Sequence, residues 1–119
     1  MILDFESRLR IATLTANEPF LFYTAAGEAH FTGMMTWSLK GFIKALRAVN
    51  VKAVEFHDSR GDFTSWAEHS LQDEVLARQL KKANTAKLSG EELRKAIVGV
   101  AEKRFTSLSK QVQAATRLF

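Results

Sequence analysis

The chain has 119 residues, 46% of them hydrophobic and 25% charged, with a net charge of +4 and no cysteine. That length suits one domain with its own core, and the balance of apolar and charged residues excludes a disordered chain. The missing cysteine excludes a disulfide framework and any thiolate metal site, and no apolar run reaches the ~18 residues of a membrane-spanning helix.

Ile2, Phe5, Leu9 and Ala12 recur at helical spacing and predict a short first helix over 3–14. Asn17-Glu18-Pro19 interrupts it, because proline disfavours helix in the residue before it. Phe20-Leu21-Phe22-Tyr23 reads as a short buried strand, Gly27-Glu28 as a turn, and His30-Phe31-Thr32 as its partner strand. Two strands alone are marginal in water, so this hairpin must lie on helices. Thr36 or Ser38 caps the next helix, in which Leu39, Phe42, Ile43, Leu46 and Val49 form the apolar stripe and Asn50 the stop. Residues 51–56 fit strand or helix, with Val54 and His57 at i, i+3 favouring helix. Gly61 breaks the chain, and Asp62 is expected to cap a helix starting at Phe63, with Phe63, Trp66 and Ala67 on one face. Asp73 starts a further helix with Val75, Leu76 and Leu80 inward, and 83–88 is a loop. Ser89-Gly90-Glu91-Glu92 has the form of a capping box, and Leu93, Ile97, Val100, Leu108, Val112 and Ala115 continue a long helix that runs to Leu118 or breaks near Thr106-Ser107. The expected fold is mainly α, a small α+β domain of about five helices with a short N-terminal β-hairpin. Its parts are an N-terminal helix and linker over 1–19, a core over 20–108 and a helix end over 109–119.

The residue types richest in chemistry gather over 57–73: His57, Arg60, Asp62, Phe63, Trp66 and Asp73. Together with Phe42, Leu46, Glu55-Phe56, Leu76-Ala77, Gly90-Glu91-Glu92-Leu93-Arg94 and Arg104, they resemble a family of small prokaryotic, largely archaeal, domains of unknown function. That family carries a His, then Asp-Phe-x-x-Trp, then Asp-x-x-Leu-Ala signature. The resemblance covers roughly residues 20–108; it implies a shared fold and supplies no activity. Read as structure, the signature needs no ligand. Asp62 starts a helix, Phe63 and Trp66 anchor it in the core, Arg60 forks onto Asp62 or Asp73, and His57 is a buried imidazole with both nitrogens satisfied.

Read as chemistry, the same stretch offers His57, Asp62, His69 and Asp73 to a ligand or metal ion. His69 and Asp73 are four residues apart and would share a helix face. Against this, Asp73 is wanted as a cap and no second metal-ligand pair accompanies it. Arg60 between Asp58 and Asp62 favours two ionised carboxylates, which argues against a general acid. No nucleophile elbow, phosphate-binding loop or dinucleotide fingerprint is present, so no catalytic role and no cofactor is expected.

Charge is unevenly spread. Residues 1–77 hold seven Lys/Arg against ten Asp/Glu, whereas residues 78–119 hold ten against three. At about 100° per residue, Lys95, Lys103, Lys110 and Arg117 fall within roughly 80° of one another, opposite the apolar stripe, and Lys81 and Lys82 add charge nearby. Such a face neutralises phosphates or an acidic protein surface without reading sequence. The leading expectation is therefore a non-enzymatic, basic binding module for an anionic partner, with a ligand or metal site as the alternative. A homo-oligomer is the third, through the amphipathic last helix, Phe119, or Met34-Met35-Thr36-Trp37, within which Trp37 is expected to be buried. The first residues lack the basic-then-apolar order of a secretion signal, and a cytoplasmic location with no membrane partner is expected.

Overall fold

A computed structural model describes residues 16–117, so the helix expected over 3–14 and the terminal Phe119 lie outside the described residues. Two antiparallel strands, β1 (Phe20–Tyr23) and β2 (Phe31–Thr36), precede five helices: α1 (Leu39–Ala48), α2 (Val51–Arg60), α3 (Asp62–His69), α4 (Glu74–Thr85) and α5 (Gly90–Arg117). The fold is mainly helical with a small β part, as its periodicities predict.

The hairpin pairs Phe20 with Thr36, Leu21 with Met35 and Tyr23 with Phe31, and the register shifts between Leu21 and Tyr23. Thr32 fills the irregularity: its hydroxyl donates to the Phe22 carbonyl at 2.7 Å and accepts from the Met34 N–H at 3.1 Å. Gly33 takes φ +84 there, a left-handed conformation that a side chain would strain. His30 falls outside the strand, in a 3-10 turn over Glu28–His30, and β2 runs four residues beyond Thr32.

Phe20 and Phe22 point inward and build an aromatic core with Phe42 of α1 and Phe63 and Trp66 of α3. Phe20 lies 5.2 Å from Phe63 and Phe42 lies 5.1 Å from Trp66, centroid to centroid. Such contacts add to the area burial of the rings. The Trp66 indole N–H donates to the Glu18 carbonyl at 2.8 Å, so the ring is buried without an orphan donor. Leu39, Phe42, Ile43, Ala45 and Leu46 of α1 and Leu93, Ile97, Val98 and Ala101 of α5 close the core on the other side.

Helix ends follow the cap chemistry in part. Ser38 caps α1, its hydroxyl accepting from the Gly41 N–H at 3.0 Å, and the Asp73 carboxylate caps α4, accepting from the Leu76 N–H at 3.1 Å. Three expectations are corrected. Asn50 is not the stop of α1 but the N-cap of α2, where it accepts from the Lys52 N–H at 2.9 Å. Asp62 is the first residue of α3 and not its cap; left-handed Gly61, φ 72, takes the boundary, because the Asp62 carboxylate is drawn to His57 instead. The loop expected over 83–88 is shorter, since α4 continues to Thr85. The last helix is unbroken: its 28 residues extend about 42 Å at 1.5 Å per residue.

Candidate functional site

His57, Arg60 and Asp62 of the signature lie where α2 meets the hairpin and α3. The buried His57 ring accepts the Tyr23 backbone N–H on Nε2 at 2.8 Å and faces Asp62 Oδ2 through Nδ1 at 2.8 Å. A backbone amide only donates, so Nε2 must hold a lone pair and Nδ1 must carry the proton. The neutral ring is favoured. Burial lowers the His57 pKa below its ordinary value, and the Asp62 carboxylate only partly opposes that. With both nitrogens engaged, the imidazole has no lone pair to offer a metal or a substrate proton. Arg60 sits on the Phe56 ring, 5.0 Å from its centroid, and reaches Asp62 at 3.5 Å. Of the two carboxylates expected for Arg60, it takes Asp62.

Asp73 is claimed elsewhere. Its second oxygen accepts from Arg104 Nε at 2.7 Å, with the two side chains only 2% and 11% exposed. One carboxylate thus starts α4 and ties it to α5. His69 lies at the opposite extreme, with a side chain 73% exposed and Glu68 its nearest carboxylate at 3.9 Å. His57, Asp62, His69 and Asp73 therefore do not converge. Among the described residues no group of three or more His, Asp or Glu is arranged to hold a metal ion.

The arginines and lysines of α5 divide by role. Arg94 donates through Nη1 to the Leu46 and Val49 carbonyls, both at 2.7 Å, and so satisfies orphan acceptors at the end of α1, while Nε holds Glu91 at 2.8 Å. Arg104 holds Asp73. By contrast, Lys95, Lys103 and Lys110 are exposed, as are Lys81 and Lys82 on α4, and none of the five enters an ion pair among the described residues. The side chain of Arg117 lies outside the described residues. The lysine face is not uniformly basic. At about 100° per residue Glu92 falls inside its arc and Glu102 some 20° outside it. Beyond Glu102 the helix carries no acidic residue, so its positive field is strongest from Lys103 onward.

Two features escaped the sequence reading. The Asp73–Arg104 pair joins residues 31 apart, and a lone buried-looking Asp gives no hint of which cation answers it. Trp37 is 42% exposed, not buried, and with Leu21, Phe31 and Met35 it makes up the exposed large hydrophobics among the described residues. All four belong to the hairpin or the residue after it. The β1 alternation of buried Phe20 and Phe22 with exposed Leu21 was a signal for that outer face, since successive side chains of a strand point to opposite sides.

No curated protein and no solved structure matches the chain. A family profile does match, over residues 58–119, from the end of α2 through α3, α4 and α5. That span carries Asp62, Phe63, Trp66, Asp73 and Arg104, and leaves out His57 and the hairpin. By that match, which covers more than half of its length, the chain belongs to a family of unknown function (DUF5752).

Proposed function

We propose that the protein is a non-enzymatic binding module whose α5 face receives an anionic macromolecule, nucleic acid or the acidic surface of another protein. The observation that carries this reading is the division of labour on α5. Its arginines Arg94 and Arg104 are consumed in holding helices together, whereas Lys95, Lys103 and Lys110 stand in solvent without partners among the described residues. Exposed, unpaired cations on one face raise the local potential and steer polyanions. The engagement of both His57 nitrogens and both Asp73 oxygens supports the non-enzymatic half of the reading. No helix among the described residues is long and apolar enough to cross a membrane, and the cysteine-free sequence suits the cytoplasm, where we place the module.

Retention on duplex DNA, duplex RNA and a polyanion resin, followed against salt, tests this. Binding is expected to weaken steeply with salt, and Lys103→Glu with Lys110→Glu is expected to lower the log–log slope by about 2, at ~0.9 per phosphate contact. Undiminished retention by that variant, with helicity intact, removes the reading.

A second reading is favoured by one observation, the apolar outer face of the hairpin. We propose that it is a self-association surface, in which two copies cover Leu21, Phe31, Met35 and Trp37 mutually.

A further inference from the structure

Helices α1 and α5 pack along each other, and the furrow between them is interrupted by one ion pair, Arg47 with Glu102. On either side of that pair the surface is concave. One hollow, of about 540 Å³, is bounded by Lys40 and Lys44 of α1 and by Phe105 and Thr106 of α5. The other, also about 540 Å³, is bounded by Glu91, Arg94 and Lys95, with Val98 and Gly99 as its floor. Arg47 and Glu102 border both, so the two hollows are halves of one groove. Its floor is apolar, through Ile43, Val98 and half-buried Phe105. Its rim is basic. Lys40 and Lys44, four residues apart on α1, border the first hollow, and Lys95 of α5 borders the second.

We infer that this groove docks an acidic amphipathic peptide segment in helical form. The inference rests on the reading of the protein as a module for anionic partners, and names the partner's chemistry. A helix with apolar residues at i, i+3, i+4 and i+7 lays them on such a floor and turns its flanking carboxylates to the lysines. A nucleic-acid strand would leave the floor poorly used, because stacking needs successive aromatic faces and only Phe105 is present. The Arg47–Glu102 pair fits the same picture. Both side chains are about half exposed, at 56% and 46%, so the pair is weak and readily exchanged. Glu102 holds Arg47 in place until a carboxylate of the partner replaces it.

The test uses a labelled helical peptide with leucines at i, i+3, i+4 and i+7 and glutamates elsewhere, a scrambled peptide of the same composition, and duplex DNA. The patterned peptide is expected to bind the full chain, and Lys40→Glu with Lys44→Glu to weaken it about tenfold or more. Glu102→Gln removes the internal competitor and is expected to tighten peptide binding roughly two- to fivefold, the scale of an exposed ion pair. That gain cannot arise from a folding defect. Equal binding of the scrambled peptide, indifference to the α1 reversals, or no gain from Glu102→Gln overturns the groove. Loss of DNA retention in the Lys103/Lys110 variant with no peptide binding by the native chain leaves the polyanion face standing and removes the groove. Absence of both kinds of binding removes the two together.

Discussion

His57 shows how one backbone amide decides the chemistry of a side chain. Paired with Asp62 alone, the ring would have the form of an activated base, with Nε2 free to take a proton. The Tyr23 N–H occupies that lone pair, and a proton placed on Nε2 would set two donors against each other. Burial is the main reason that the folded-state pKa lies below 6.5, with Asp62 opposing and Arg60 reinforcing it more weakly. As pH falls, the unfolded chain therefore takes up the proton first. The stability contributed by the neutral ring is complete above pH 6.5 and is lost as pH falls from there toward the folded value. Asp58 acts with the opposite sign. Burial raises its pKa above 3.8, so its ionisation in the folded state lowers stability as pH rises from there. Comparison with His57→Gln isolates the histidine, because Asp58 is common to both proteins. In denaturant melts between about pH 7.5 and pH 5.5, the native chain is expected to lose stability relative to His57→Gln. A difference that stays constant across that range would show that His57 does not titrate on unfolding as described.

At the scale of elements, the helices are joined by side chains that serve two helices at once. Asp73 caps α4 and grips Arg104; Arg94 closes the end of α1 from α5; Glu55 of α2 accepts the Gly90 N–H at 2.9 Å where α5 begins. These bonds replace water at helix termini, where four backbone groups have no partner inside the helix. Arg104→Ala is expected to cost about 3 kcal/mol or more, since it strands a buried carboxylate. Asp73→Asn keeps an acceptor for the Leu76 N–H and removes the charge. The double variant should therefore recover about 1–2 kcal/mol relative to Arg104→Ala alone in urea melts. Strict additivity would show that the two side chains do not act as a unit. The same competition explains Asp62. A strong cap residue stands at the start of α3, but His57 at 2.8 Å is the better partner for its carboxylate, and Gly61 takes the boundary.

At the scale of the molecule, two different surfaces lie on two different elements. The hairpin and the residue after it present Leu21, Phe31, Met35 and Trp37, and the long helix presents lysines. A two-stranded sheet has one face for the core and one for whatever lies outside. Light scattering at tens of micromolar is expected to give a mass above the monomer, and Met35→Ser with Trp37→Ser to return it to the monomer. A monomeric native chain at that concentration would remove the self-association reading. Most of the architecture is legible in the sequence. The α1 stripe, the shared face of Phe63 and Trp66, the Asp73 cap and the choice between Thr36 and Ser38 as the α1 cap rest on spacings within about four residues, which a local pattern records. The hairpin is legible from its two short runs and the turn between them, whereas the sequence leaves open whether α5 breaks near Thr106-Ser107. What only the tertiary structure decided spans longer separations: Tyr23 to His57, Asp73 to Arg104, Leu46 to Arg94, and the exposure of Trp37. A residue type states what bond it can make, and its local spacing states which face it occupies. Which distant partner meets it, and whether anything covers an apolar cluster, depends on how the faces are brought together, and that arrangement is a property of the packed chain.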